Sequence, residues 1–228
     1  MILSIHQPAY LPWLGYLDRI ALSDCFVFLD TVQFEKNSYT NRNKIKTSTG
    51  PLWLTVPVKQ QGHLEKKLTE IEIDNSQNWR AKHLRSIEHS YRRASNFVTC
   101  YPKLASCFSE SETLLADLCF KQLLFWLKEF NITTPVVRAS DLQVNGKKSD
   151  LVLAICQHLG AKGYLSGPQG RDYLDVSSFE SNGVDVSFHE FAHPVYPQLH
   201  GDFLPAMSVV DYWMNVDSYA VFKSKEKA

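Results

Sequence analysis

The first thirty residues predict a strand, a helix and a second strand in direct succession. Residues 1–8 are a short apolar run that stops at the polar pair His6-Gln7 and a proline. A loop then leads into a helical segment ending near Ile20, and residues 25–30 follow as a second buried strand. Such βαβ units build parallel sheets. The chain therefore predicts an α/β fold with a doubly wound, mostly parallel sheet.

A β-rich insertion is predicted near residues 40–73. Within it, residues 44–57 predict a β-hairpin about a turn that contains Gly50 and Pro51. Residues 68–73 alternate apolar and polar side chains near their end, which indicates a half-exposed strand.

A helical block is predicted near residues 76–130, before the α/β alternation returns. The block contains three predicted helices, at 79–91, at 97–108 with an interruption near Pro102, and at 111–130. Further strands are predicted at 134–139, 163–166 and 184–188, and further helices at 149–159 and 206–214. We predict one domain spanning residues 1–228.

Charge and composition exclude some classes of partner. Lys plus Arg and Asp plus Glu each number 24, so the net charge is zero, which argues against a nucleic-acid partner. The chain shows no signal-peptide pattern and no run of eighteen apolar residues, so we expect no membrane span. Five cysteines without CxxC spacing fit reduced thiols and a cytoplasmic location, and we expect none to be catalytic.

The loop after the first strand is the first candidate ligand site. In open parallel sheets the ligand crevice lies beyond the carboxyl ends of the strands, and His6 comes at such an end. The helix start that follows can seat a phosphate, and its glycine permits close approach. The alternative is that His6 is a hydrogen-bonded core histidine. The expected ligand-facing residues are His6, Gln7, Tyr10, Trp13, Gly15 and Tyr16.

A second polar cluster follows the second strand. Asp30 could accept a proton or a sugar hydroxyl, and Lys36 and Arg42 could hold phosphate. Gln33 and Asn41 add further polar groups to this stretch. An ordinary exposed polar loop is the alternative, and spacing does not exclude it.

A third candidate is the glycine-bearing loop after the strand at 163–166. Such a loop can present several N–H groups to an anion, although it matches neither the Walker A nor the GxGxxG pattern. An ordinary surface turn is equally compatible. Its candidate binding residues are Ser166, Gly167, Gln169, Gly170, Arg171 and Tyr173.

Two patterns near the C-terminus have ordinary structural explanations. Tyr196 and Gln198 are candidate site residues, whereas helix capping and dipole pairing account for Ser208 and Asp211. Residues 189–193 spell HExxH, which binds zinc when both histidines lie on one face of a helix. The segment before it alternates like a strand, and two prolines follow, so we predict no helix and no metal site there.

The sequence resembles the WbqC-like family over nearly its whole length. Members of that family are common among genes for O-antigen and other surface glycans, which implies a role in surface-polysaccharide precursor biosynthesis. One role consistent with that setting is attachment of glycine or another small acyl unit to an amino sugar. The motifs that carry the resemblance include His6-Gln-Pro-Ala-Tyr-Leu-Pro-Trp-Leu-Gly-Tyr16, Phe26-Val-Phe-Leu-Asp-Thr-Val-Gln-Phe34, Asn41-Arg-Asn-Lys-Ile45, Trp53-Leu-Thr-Val-Pro57, Tyr164-Leu-Ser-Gly167, Tyr196-Pro-Gln198 and Ser208-Val-Val-Asp211.

The opening unit also resembles the nucleotidyltransferase-like α/β superfamily, whose Rossmann-like sheet carries an HxGH motif that binds ATP phosphates. Here Trp13-Leu-Gly-Tyr16 stands in the place of HxGH, and both histidines are replaced by aromatic residues. This departure argues against ordinary adenylyl transfer. Some members of that superfamily activate a carboxylate with ATP and then form an amide, which implies ATP as a cofactor here.

These resemblances imply one leading function and two rivals. The leading function is aminoacyl or acyl transfer to the amine of a nucleotide-linked amino-deoxysugar. Its expected catalytic residues are His6 as acid/base or phosphate-facing group, Asp30 for deprotonating or orienting the amine, and Lys36 for holding phosphate. The rivals are a non-catalytic module that binds glycan precursors or partner enzymes, and a nucleotidyltransferase acting on a sugar phosphate.

Overall fold

A parallel sheet of five short strands lies at the centre of the computed structural model, which describes residues 1–63, 65–109, 111–216 and 222. Two further strands form a separate antiparallel hairpin. In chain order the strands are β1 (Ile2–His6), β2 (Cys25–Phe28), β3 (Arg42–Thr47), β4 (Gly50–Thr55), β5 (Val136–Arg138), β6 (Gly163–Ser166) and β7 (Asp185–Phe188).

The strand order of the main sheet is β5-β2-β1-β6-β7, and every neighbouring pair is parallel. From β1 the chain first builds β2 and β5 on one side and later builds β6 and β7 on the other. The predicted doubly wound sheet is therefore confirmed. The order reverses between β1 and β6, so the topological switch point of the sheet lies at their carboxyl ends.

Both faces of this sheet are covered by helices. Along β2, Phe26 and Phe28 pack on one face and Cys25 and Val27 on the other, as the two-residue period of a strand requires. A strand that is buried on both faces reads as a continuous apolar run instead of alternating. This burial explains why the sequence of β2 contains no polar residue.

Seven α-helices occur among the described residues. They are α1 (Leu14–Ala21), α2 (Trp79–Tyr91), α3 (Phe97–Cys107), α4 (Leu115–Glu129), α5 (Lys148–His158), α6 (Val176–Ser181) and α7 (Val209–Asn215). The short α6 was not predicted. In the part of the chain that the structure describes, no helix combines the length and apolar character needed to cross a bilayer.

The predicted hairpin is confirmed, but its turn lies at residues 48–49, and Gly50 and Pro51, which were expected in the turn, begin β4. Gly50 follows that turn with φ +110°, a conformation that favours glycine, and it pairs with Thr47 across the hairpin. Ile45 and Leu54 are buried in the same apolar core that contains α1 and Phe26. The insertion is therefore packed against the α/β sheet.

The predicted strand at 68–73 is wrong. Leu68–Glu70 forms a single 3₁₀ turn, and the following backbone pairs with the segment before α4. Ile73 donates its N–H to the carbonyl of Thr113 (2.8 Å), and Leu115 donates to the carbonyl of Ile71 (2.8 Å). Because this pairing holds residues 113–115 extended, α4 begins at Leu115 and not at the predicted residue 111.

The predicted interruption near Pro102 is also wrong, because α3 runs through this residue. The proline ring removes the hydrogen bond that the carbonyl of Val98 would otherwise accept. The side chain of Val98 is 84% exposed, so water can reach this part of the helix and solvate the carbonyl. An exposed helix face tolerates the loss without ending.

Candidate functional site

His6 and Gln7 lie at the carboxyl end of β1, on the switch point of the sheet. The His6 Nδ1–H donates to the backbone carbonyl of Gln7 (2.8 Å), and the Tyr16 hydroxyl donates to the same oxygen (3.3 Å). The imidazole meets the rings of Trp13 and Tyr16 edge-on, at centroid distances of 5.7 and 5.0 Å. The aromatic residues of the loop therefore fix the orientation of His6.

His6 is held in its neutral form. Burial lowers its pKa to about 3, and the positive charge of Arg19 acts in the same direction. Because Nδ1 carries the proton, Nε2 is a hydrogen-bond acceptor, and no described residue donates to it. The imidazole can thus accept a proton or a hydrogen bond, but it is not the cation that a phosphate-facing role at neutral pH requires.

Arg19 is a candidate site residue that the sequence did not single out. It lies on α1, is only 5% exposed, and its Nε has no hydrogen-bond partner in the described part of the chain. Within the described residues no ion pair or hydrogen bond engages the remainder of the guanidinium either. Its Nη1 lies against the α-carbon of Gly167, at the point where any β-carbon would clash with it. We refer to His6, Gln7, Arg19 and Gly167 as the switch-point site.

The sequence offered one weak signal for Arg19. Apart from Asp18 and Arg19, every residue of α1 is apolar, glycine or tyrosine. Two adjacent charged residues are therefore unusual on a helix that packs against a sheet. The buried carboxylate of Asp18 has a partner in His189, whose Nε2 donates to it (2.7 Å). Arg19 has no such partner within the described residues.

The glycine-bearing loop after β6 contributes one of its six predicted residues to the switch-point site. That residue is Gly167. Ser166 is buried, and its hydroxyl donates to the Gly167 carbonyl (3.1 Å), while Gly170 is needed because a β-carbon would overlap the Ser166 hydroxyl. Gln169, Arg171 and Tyr173 are exposed, and Arg171 is paired with Glu190 (3.3 Å) over the ring of Phe188.

Asp30 does not lie in an open site. It is fully buried, and its carboxylate accepts from Arg138 Nε (2.8 Å), from the Ser140 N–H (2.9 Å) and from the Ser140 hydroxyl (2.9 Å). Arg138 also donates to Asp117 (2.7 Å). With both oxygens engaged, Asp30 joins β2 to the segment after β5, which corrects the expectation of a freely available base.

Two residues of the β1 loop contribute to the packing of the core and do not face a ligand. Tyr10 is fully buried, and its hydroxyl donates to Nδ1 of His83 (2.8 Å), which corrects the expectation that it faces a ligand. Gly15 was expected to admit a ligand or backbone. Instead the ring of Phe191 covers it, since a β-carbon on Gly15 would lie 3.0 Å from that ring.

The second polar cluster lines a groove in the insertion. Lys36, Asn41 and Arg42 border a cavity of about 190 Å³ at the foot of the hairpin. Asn41 is 8% exposed, and no residue that the structure describes donates to its Oδ1, although its Nδ2 donates to the Val56 carbonyl (3.0 Å). An adjoining cavity of about 790 Å³ is lined by Val58, Lys59, Gln60, Gln61, Lys66, Glu72, Asp74 and Gln77. We call these two cavities the insertion groove.

A row of aromatic rings connects the switch-point site to the insertion groove. Trp13, which contacts His6, lies 5.3 Å from the ring of Tyr39, and Tyr39 lies 5.7 Å from the ring of Trp53. The guanidinium of Arg42 stacks on Trp53 at 4.4 Å. Tyr39 and Trp53 are 40% and 41% exposed, so this row presents ring faces to solvent.

Gln33, another residue of the second polar cluster, is exposed, and its backbone forms an antiparallel β-bridge with Lys67.

Tyr196 and Gln198 belong to a buried network and not to the switch-point site. The Asp211 carboxylate accepts from the hydroxyls of Tyr91 (2.8 Å) and Tyr196 (2.9 Å) and from Gln198 Nε2 (2.7 Å). Burial raises the pKa of Asp211 above its ordinary value. The predicted capping role of Ser208 is confirmed by its hydroxyl, which accepts from the Val210 N–H (3.3 Å).

The HExxH segment is not helical, as predicted. Residues 189–198 form neither helix nor strand. His189 is hydrogen-bonded to Asp18, and the Nδ1–H of His193 donates to the carbonyl of Pro194 (2.9 Å).

All five cysteines are buried free thiols, so they lack the exposure that a reactive thiol requires.

The sheet topology and the polar residues at β1 and β6 define a doubly wound α/β protein with a candidate ligand site at its switch point. The chain belongs to the WbqC-like protein family, whose model matches residues 7–222. It is similar to the uncharacterized protein Rv1507c of Mycobacterium tuberculosis (strain ATCC 25618 / H37Rv), with 34% identity over 219 residues, covering 95% of this chain and 94% of that protein. No solved structure matches the chain.

Proposed function

We propose that the protein is an enzyme of surface-glycan precursor biosynthesis, including O-antigen precursors, that forms an amide on an amino sugar. It transfers an acyl or aminoacyl group, such as glycyl, to the amine of a nucleotide-linked amino-deoxysugar. The observation that carries this proposal is the neutral His6 imidazole, which presents a free Nε2 acceptor at the switch point of a doubly wound sheet.

The chemistry assigned to His6 follows from its low basicity. A base with a pKa of about 3 does not deprotonate a free sugar ammonium, but it accepts a hydrogen bond from the neutral amine. The amine lone pair forms the C–N bond to the acyl carbon, and the bond from that carbon to its leaving group breaks. The amine proton, made acidic by C–N bond formation, passes to His6 Nε2. ATP, when bound, would activate the acyl carboxylate as an acyl adenylate with release of pyrophosphate, so that AMP is the group that leaves when the amide forms.

The aromatic row and the polar residues of the insertion groove are assigned to substrate binding. The aromatic row of Trp13, Tyr39 and Trp53 offers stacking surfaces to a sugar or a nucleobase. Lys36 and Arg42, at the insertion groove, supply positive charge, and Asn41 supplies an unpaired acceptor. An extended nucleotide-linked sugar can therefore contact both ends of this row. Asp30 is assigned a positioning role through Arg138.

Turnover with a defined substrate set tests the proposal. Purified protein is incubated with a nucleotide-linked 4-amino-4,6-dideoxysugar, glycine and ATP, and the sugar nucleotide is followed by mass spectrometry. We expect a product heavier by one glycyl unit, and about a 10²- to 10⁴-fold slower reaction for His6→Ala, as for loss of a positioned base. His158→Ala, on the exposed end of α5, is the matched control and should keep the wild-type rate.

Other outcomes separate the rival functions. Binding of the sugar nucleotide without any product would indicate a glycan-precursor binding protein. Release of pyrophosphate from a nucleoside triphosphate and a sugar phosphate, with no amine present, would indicate a nucleotidyltransferase. Full activity of the His6→Ala variant would remove His6 from the mechanism.

A further inference from the structure

Arg19 is a charged group that has no hydrogen-bond or ion-pair partner among the residues that the structure describes. Its side chain is 5% exposed, and no described carboxylate, carbonyl or hydroxyl accepts a hydrogen bond from it. Arginine keeps its charge in proteins, and an uncompensated buried charge is strongly destabilising. The titratable side chains that act on Arg19 are Tyr164, Tyr16 and Tyr173, and none of them is a carboxylate. No acidic side chain among the described residues therefore compensates the charge of Arg19.

The position of Arg19 matches the place where doubly wound folds bind ligands. Its guanidinium extends from α1 to Gly167, the residue directly after β6, and its charge acts on His6 at the end of β1. These two strands flank the topological switch point. A glycine at position 167 leaves room for the guanidinium beside the backbone, which no other residue would do.

We propose that Arg19 binds a phosphate group of the substrate or of the activating nucleotide at the switch-point site. A guanidinium offers several N–H donors in a planar fork, which suits two oxygens of a phosphate. The inference rests on the proposed function in taking the switch-point site as the substrate site. It adds the residue that recognises phosphate, a role that the sequence had assigned to Lys36, Arg42 and the 166–171 loop.

A bound phosphate also changes His6. The charge of Arg19 contributes to the low pKa of His6, and a phosphate anion beside Arg19 offsets that charge. Tyr16 and Arg19 are the titratable groups that face the imidazole. Occupancy of the site therefore offsets one cause of the low pKa of His6, while burial, which is the larger cause, remains.

Inorganic pyrophosphate is the probe for this inference, measured by isothermal titration calorimetry and by thermal unfolding. We expect the wild-type protein to bind it and to unfold at a higher temperature in its presence. Arg19→Gln should bind at least about tenfold more weakly, and Arg19→Lys should be intermediate, because lysine keeps the charge without the fork. Arg85→Gln, which changes an exposed arginine on α2, should behave as wild type.

The stability of the free variant separates binding from a structural role. Without ligand, Arg19→Gln should unfold at the wild-type temperature or above, because it removes an unpaired buried charge. A marked decrease in that temperature, or unchanged pyrophosphate binding by Arg19→Gln, would overturn the inference. Gly167→Ala should also lose pyrophosphate binding, since its β-carbon displaces the guanidinium.

Two further outcomes distinguish this inference from related ideas. Acetate or glycine binding more tightly than pyrophosphate in an Arg19-dependent manner would show a carboxylate site and contradict a phosphate site. Arg19-dependent pyrophosphate binding without any amide product would refute the proposed function and leave this inference standing. Amide formation at the wild-type rate by Arg19→Gln would refute this inference alone.

Discussion

His83 shows at the scale of one residue how burial decides the protonation of a histidine. Its Nδ1 accepts from the Tyr10 hydroxyl (2.8 Å), and the ring packs among the aromatic side chains of Tyr10 and Trp79. Burial lowers its pKa to about 4, so the neutral ring is the form that fits these partners. The same cause keeps His6 neutral, which is why a histidine at the end of β1 acts as an acceptor and not as a cation.

The pKa of His83 makes stability depend on pH. Between about pH 4 and 6.5 the unfolded chain binds a proton that the folded His83 does not, so the free energy of unfolding falls as pH decreases through this window. We expect His83 to account for about 2 kcal/mol of loss between pH 7 and pH 5. Urea unfolding at both pH values checks this, because His83→Gln should lessen the loss and the exposed His89→Gln should not.

Asp30 tests the difference between a positioning residue and a base. In Asp30→Asn an amide N–H₂ faces Arg138 or Ser140 in place of an acceptor, so we expect about 2 to 3 kcal/mol lower stability by urea unfolding. Asp141→Asn, an exposed neighbour, should change stability by less than about 0.5 kcal/mol. An Asp30→Asn protein of wild-type stability that had lost turnover would restore the predicted catalytic role of Asp30.

At the scale of elements, one buried network holds the C-terminal helix in place. Asp211 on α7 accepts from Tyr91 at the end of α2, and the Tyr91 hydroxyl in turn accepts from the Lys46 N–H of β3 (3.0 Å). Lys46 is itself buried, and its ammonium donates to the carbonyls of Gly201 and Asp202. The hairpin, the helical block and the C-terminal segment are thus joined through polar contacts as well as apolar ones.

Removal of the Asp211 carboxylate should therefore destabilise several elements together. We expect Asp211→Ala to lower the free energy of unfolding by about 3 to 5 kcal/mol, because two tyrosine hydroxyls and Gln198 lose their acceptor. Asp202→Ala is the matched control, since Asp202 contributes its backbone carbonyl and has an exposed side chain. Equal stability of the two variants in urea would contradict a structural role for the network.

Elements were predictable from sequence where their signals are local. The β3–β4 hairpin, α2, α5 and the strands of the sheet follow from apolar periodicity and turn residues, which act over a few positions. The start of α4 and the turn at 68–70 were not predictable, because backbone pairing between residues 71–73 and 113–115 decides both. No local pattern reports a pairing between segments forty residues apart.

For the whole molecule, one large apolar core joins the sheet to the insertion and the helical block. It contains Phe26 of β2, Ile45 of the hairpin, Trp79 of α2, Leu118 of α4 and Val210 of α7. Elements that share a core in this way unfold together. A single domain over residues 1–228 stays a prediction, and the shared core makes cooperative unfolding its expected consequence.

Cooperative unfolding is the test at this scale. We expect one urea transition, with coincident midpoints by far-ultraviolet circular dichroism and by fluorescence of the five tryptophans. Trp53 lies on the hairpin and is 41% exposed, whereas Trp126 is fully buried in α4. Fluorescence of single-tryptophan variants at these two positions should give the same midpoint. Separate midpoints would show that the insertion unfolds independently.

The sequence by itself determined the α/β class, the position of β1 and its polar end, the hairpin, and most helices, because these depend on short-range periodicity and on the geometry of turns. Only the tertiary structure decided which polar groups meet. It brought His189 against Asp18 and Arg138 against Asp30, and it placed Arg19 beside Gly167 with no acidic partner among the described residues. Burial and pairing arise from segments distant in the chain, and these in turn set the charge and hydrogen-bonding capacity of each side chain.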